Sequence, residues 1–146
     1  MLLRAENIPL VDVPAYHALE MTTHSPPVEG TLALVWEPQL HLVQLVHALP
    51  FEVSPERLSA VEHAIVRIND ALAVPGFGFN SERRLVYYRL VLPRHSDGSL
   101  EDEDIKRAIS TVLTTLGDFW LPLDGVIRGG EDADAVVAAA RKAKGG

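Results

Sequence analysis

Residues Arg67–Pro93 read RINDALAVPGFGFNSERRLVYYRLVLP, and the fold turns on how this stretch is divided. RINDALA closes a helical period. GFGFN and LVYYRLVLP then alternate like two strands joined by the polar turn SERR. On the longer strand Val86, Tyr88, Leu90 and Leu92 point one way, and Leu85, Tyr87, Arg89 and Val91 the other. The first set is wholly apolar and belongs to a core. The second is amphipathic, with tyrosine beside arginine. Gly76-Phe77-Gly78 contains G-x-G, but it follows a helix and enters a strand. A phosphate loop needs a strand first and a helix N-terminus after, because the helix end supplies the aimed N–H groups. Gly76 and Gly78 therefore read as structural residues of a tight helix-to-strand turn.

Upstream, the period is that of strands. Residues 15–25 offer one strand, ended by Pro26-Pro27; GTLALVW (Gly30–Trp36) is a second, and QLHLVQLVHALP (Gln39–Pro50) a third. In the third, Leu40, Leu42, Gln44, Val46 and Ala48 share one face, while His41, Val43, Leu45, His47 and Leu49 share the other. The period changes at Ser54-Pro55-Glu56, a helix-start signature. Leu58, Val61, Ile65, Ile68 and Leu72 then recur three and four apart, which predicts a helix over 55–73 with one apolar stripe. Asn69 lies on that stripe. Its expected role is structural, bonding the backbone of the turn that follows, since an unsatisfied buried amide costs roughly 1–3 kcal/mol.

Downstream, His95-Ser96-Asp97-Gly98 reads as a turn, and Ser99 with Asp102 as a capping box. Ile105, Ile109, Val112, Leu116 and Trp120 trace a second helix over 101–120, which Pro122 should kink or stop. Gly129-Gly130 close the folded region. The chain thus divides into a domain over 1–130 and a helical tail over 131–146, acidic at its start and basic at its end.

The 146 residues suit one core. With 47% hydrophobic and 23% charged residues, the composition is that of a globular protein. There is no cysteine, which removes disulfides, thiolate metal sites and thiol catalysis. No apolar run reaches the length of a membrane span and no signal peptide is evident, so a cytoplasmic location without a membrane partner is expected. The formal charge is −7, from 13 Lys and Arg against 20 Asp and Glu. That balance opposes general attraction to nucleic acid.

Catalytic, cofactor and metal sites are not expected. The six histidines form no HxH or HxxxH pair, and His41 and His47 would stand roughly 20 Å apart on one strand. Glu101 to Asp104 suit the positive end of a helix and lack the ligand spacing of a calcium loop. No G-x-S-x-G elbow is present. The remaining candidate is the amphipathic strand. Leu85, Tyr87, Arg89 and Val91 form the expected partner or dimer interface, with His41, Val43 and Leu45 as neighbours. Which face of strand 39–50 joins them is left open. A second reading takes the basic aromatic strand 83–89, with Arg83, Arg84, Arg89, Tyr87 and Tyr88, as a platform for single-stranded nucleic acid.

ALPFEVSPERLSAVEHAIVRINDALAVPGFGFNSERRLVYYRLVLP and the later TLGDFWLPLDGVIRGG resemble the YbjN family of bacterial proteins over about Leu40 to Gly130. The shared features are a strand leading into a proline-started helix, an Asn near its end, a short G-F-x-F strand, a longer apolar strand, and a closing helix with an aromatic-x-Pro segment. Members begin with a longer N-terminal helix, whereas here only Leu2 to Ile8 could start one before Pro9. The resemblance implies a type III secretion chaperone-like fold and a non-enzymatic, dimeric, chaperone-like or regulatory protein linked to stress responses. The expected architecture is α+β: a five-stranded antiparallel sheet in β-β-β-α-β-β-α order with its helices on one face.

Overall fold

The change of hydrophobic period at Ser54 separates sheet-forming from helix-forming sequence, and the computed structural model shows the same division. The structure describes residues 10–13, 18–23, 28–93, 101–134, 136, 138 and 142. Strands β1 (Leu10–Val13), β2 (Ala18–Thr23), β3 (Gly30–Glu37), β4 (Leu42–Ala48), β5 (Phe77–Asn80) and β6 (Leu85–Pro93) form one sheet in the order β1-β2-β3-β4-β6-β5. Every neighbouring pair is antiparallel. Helix α1 (Leu58–Ala71) stands between β4 and β5, and α2 (Asp102–Ile127) comes after β6.

The expected five-stranded sheet is thus corrected to six, with four strands before α1. The chaperone-like arrangement tied to the five-stranded order goes with it. The added strand is β1, whose four residues LVDV are too few to show an alternation of their own. It is defined by its register on β2, Leu10 opposite Met21 through Val13 opposite Ala18. The expected N-terminal helix start at Leu2 to Ile8, the turn at His95 to Gly98 and the cap at Ser99 lie outside the described residues.

Alternation along β4 decides which side of the sheet is closed. Val43, Leu45 and His47 are buried, while Leu42, Gln44, Val46 and Ala48 between them are not. The buried set packs with Leu32 and Leu34 of β3, Val86 and Tyr88 of β6, the α1 stripe Val61, Ala64, Ile65 and Ile68, and the inner side of α2. Both helices therefore cover one face.

Helix α2 runs on through Pro122 to Ile127, past the expected end at residue 120. A proline inside a helix costs about 3 kcal/mol. Beyond it, Leu123, Val126 and Ile127 are all buried. At roughly 1.5–3 kcal/mol for each buried side chain, that packing outweighs the proline. The end of α2 carries no basic residue of its own. Arg57, entering α1 from the 3-10 turn Pro55–Arg57, supplies the charge from across the fold: its Nε donates to Val126 O at 2.9 Å and its Nη2 to Glu131 O. A cation is thereby set on the carbonyl end of α2. The chain then turns at Gly130, whose φ of 73° suits glycine, and Glu131 N–H returns to Gly125 O.

Candidate functional site

The β5–β6 hairpin positions the candidate residues, and Asn69 holds it against α1. Asn69 Oδ1 accepts from the backbone N–H of Gly76 at 3.2 Å and of Phe77 at 3.0 Å, and its Nδ2 donates to Phe77 O at 2.9 Å. The carboxamide thus bonds both backbone groups of Phe77, as a further strand would. Because β5 is the end strand of the sheet, the side chain closes part of an edge otherwise open to pairing.

Gly76 and Gly78 are needed for close approach rather than for an unusual φ. A Cβ on Gly76 would stand 2.4 Å from Arg89 O, and one on Gly78 would stand 2.5 Å from Tyr87 Cζ and Oη. The Tyr87 ring therefore lies over Gly78, its register partner on β5. The Arg89 guanidinium in turn lies over Tyr87, 5.6 Å from the ring centre. Glycine, ring and cation form one stack on the face that the helices leave bare.

Tyr88 belongs to the other face. It is fully buried, its hydroxyl donates to Val74 O at 2.8 Å, and its ring meets Phe77 edge-on at 5.0 Å. Burial pushes the phenol pKa upward, with a smaller opposing effect from Thr115. It cannot stack on a base. Arg84, at φ 56° in the hairpin turn, is engaged by Glu52 at 2.6 Å. Arg83 is exposed. Of the basic aromatic platform, Tyr87, Arg83 and Arg89 remain.

The structure separates the expected interface residues. Leu85, Tyr87, Arg89 and Val91 share the bare face, Val91 being 44% exposed. Val43 and Leu45, at 2% and 0% exposure, lie under the helices and cannot be their neighbours. They face Leu92 and Leu90 of β6, one step out of phase with Arg89 and Val91. His41 has left the strand for a turn at φ 52°. The true neighbours on β4 are Gln44, opposite Val91, Val46, opposite Arg89, and Ala48, opposite Tyr87. Next to them on β3 stand Ala33, opposite Val46, and Val35, opposite Gln44. None of these is buried. Alternation alone groups Gln44, Val46 and Ala48; only the β4–β6 pairing shows which group meets Tyr87 and Arg89.

On the closed face stands a titratable group that the spacing of the histidines does not single out. His47 is 0% exposed, 6.0 Å from the Trp120 ring, which also meets Phe51 edge-on at 5.8 Å. Its Nδ1 stands 2.9 Å from Ala48 O, and a carbonyl only accepts, so Nδ1 carries the proton. Burial lowers the imidazole pKa, with the Ala48 bond opposing. Phe51 is also faced by the Arg128 guanidinium, 4.0 Å from the ring centre, itself held by Asp124. Among the described residues no three metal-ligating side chains stand together, and no helix is long and apolar enough to cross a membrane.

The fold and the site define an α+β protein built on one antiparallel sheet, with one face covered by helices and the other bare of them among the described residues. The chain belongs to the YbjN family, described as "Putative bacterial sensory transduction regulator", which it matches over residues 29–123. The description is of a regulator and not of an enzyme. The match starts just before β3 and ends inside α2, so it takes in the β3–β4, β4–β6 and β5–β6 pairings and leaves β1 and β2 outside. No curated protein and no solved structure matches the chain.

Proposed function

We propose that this chain is a non-enzymatic regulatory adaptor of the bacterial cytoplasm that binds other proteins and forms a homodimer through its bare sheet face, in the service of a stress response. The observation that supports this reading is the face itself. Ala33, Val35, Leu42, Val46, Leu85, Tyr87 and Val91 stand on one side of a sheet whose other side carries both helices, and none of them is fully buried. Val91 is exposed and the other six are half-buried, so together they form a partly open apolar surface across three paired strands rather than single scattered residues, and such a surface suits a partner. Tyr and Arg, together here as Tyr87 and Arg89, are favoured anchors of protein interfaces. The description of the family as a regulator supports the same reading.

The test is sedimentation velocity on the full chain with Val46→Arg, a substitution at the middle of the face. The expected result is a dimer for the unaltered protein and a monomer for the variant, with the same far-UV circular dichroism. An unaltered protein that stays monomeric at high micromolar concentration overturns the reading. Single-stranded nucleic acid is disfavoured, because Tyr88 is in the core and Arg84 is paired with Glu52.

A further inference from the structure

The register assigns the bare face a charge pattern that fits a second copy of itself in one orientation. Glu20 of β2 lies opposite Ala33 of β3, Ala33 opposite Val46 of β4, and Val46 opposite Arg89 of β6. One row across the sheet therefore reads Glu20, Ala33, Val46, Arg89: an acid, two apolar side chains and a cation. The ends are three strand spacings apart, roughly 14 Å. Neither charge has an ionic partner among the described residues; Arg89 rests on the Tyr87 ring, and it is exposed.

We propose that the homodimer is a face-to-face sandwich whose twofold axis runs parallel to the strands between β3 and β4, so that Arg89 of each copy meets Glu20 of the other. This rests on the self-association proposed above and specifies its geometry. Two sheets packed face to face in the aligned manner keep their strands within about 30° of each other and sit about 10 Å apart. A twofold axis can then lie along the strands or across them. Across the strands, the row falls on itself in the same order, setting Arg89 on Arg89 and Glu20 on Glu20. Along the strands, the row reverses. Each arginine then faces a glutamate, and Val46 of one copy faces the smaller Ala33 of the other. Only the second choice matches charge and volume together, and like charges set opposite one another are costly at an interface. The sheet twist displaces each pair by a few Å, roughly 4 Å at half the row length, which an arginine side chain can span.

Charge exchange in trans tests the geometry. Arg89→Glu alone places two glutamates at each end of the row, and Glu20→Arg alone places two arginines there. Each single variant is expected to self-associate at least about tenfold more weakly than the unaltered chain. Mixing the two restores both pairs. The glutamate introduced at position 89 of one copy faces the arginine introduced at position 20 of the other, and the unaltered Glu20 of the first faces the unaltered Arg89 of the second. The expected result is a heterodimer from two weakened proteins, read by sedimentation velocity or by light scattering of the mixture. The double exchange, Glu20→Arg with Arg89→Glu, is expected to recover the homodimer, and its recovery also shows that both substitutions are tolerated by the fold. A dimeric unaltered protein whose single variants remain dimeric, or whose weakened variants do not recover on mixing, overturns the geometry while leaving self-association standing. A monomeric unaltered protein overturns both.

Discussion

Tyr87 and Tyr88 are adjacent on β6, and the two faces of the sheet treat them differently. Tyr88 is buried, bonded to Val74 O and set edge-on to Phe77. Tyr87 lies across Gly78 with the Arg89 guanidinium above it, on the face without helices. The pleat makes this difference, because successive side chains of a strand leave on opposite sides. Residue type therefore does not divide fold from function here. A tyrosine next to an arginine is a core element in one phase of the strand and an interface candidate in the other.

The sharpest way to break that comparison is to truncate each ring. Tyr88→Ala is expected to lose about 3–5 kcal/mol of stability in urea denaturation, through the cavity it leaves. Tyr87→Ala should lose about 1 kcal/mol, the scale of a cross-strand pair. Equal losses would mean that the bare face is as much a part of the core as the closed one.

Asn69 comes next. Asn69→Ala leaves the Gly76 and Phe77 groups without their partner and is expected to cost about 2–3 kcal/mol. Hydrogen exchange at Phe77 should speed up in the same variant. Unchanged exchange there would mean that the carboxamide does not guard the β5 edge.

The two glycines then separate a rigid neighbour from a yielding one. Gly76→Ala meets a backbone carbonyl, Arg89 O, and should cost about 2 kcal/mol; Gly78→Ala meets only the end of the Tyr87 side chain and should cost under about 1 kcal/mol. An inverted order would show that the Tyr87 ring is locked in place.

The smallest expected effect is that of pH on the closed face. His47 has its pKa lowered by burial, so the unfolded chain takes up a proton before the folded one does. Stability is therefore full above the ordinary imidazole value of 6.5 and falls as pH drops below it. The slope from this one group is at most about 1.4 kcal/mol per pH unit. Thermal melts between about pH 7.5 and 5.5, a range spanning the ordinary imidazole value, should show the decline, and His47→Leu should flatten it. A profile unchanged by that substitution would assign the acid sensitivity to other groups.

Much of this organisation is visible in the residues. The α1 stripe of Val61, Ile65 and Ile68, the alternation of β4 and β6, and the place of Asn69 before a glycine turn all come from spacing of three and four, or of two, within one segment. The features that local spacing does not reveal depend on distant partners. Arg57 on the end of α2 joins residues 69 apart in sequence. The passage of α2 through Pro122 depends on how deeply Leu123 and Val126 are buried, which a local proline rule does not contain. His47 is one more alternating residue of β4 until the fold sets Trp120 against it.

The residues alone, then, settle which side chains of each strand travel together, because the pleat and the helical turn are properties of the local backbone. They also settle that a cysteine-free, acidic chain of this size must stand on its apolar core. Only the assembled sheet decides which phase of β4 meets which phase of β6. Pairing register is a relation between segments about 45 residues apart, and one step in it exchanges Val43 and Leu45 for Gln44 and Val46. That step moves the candidate interface from the helices to the open side.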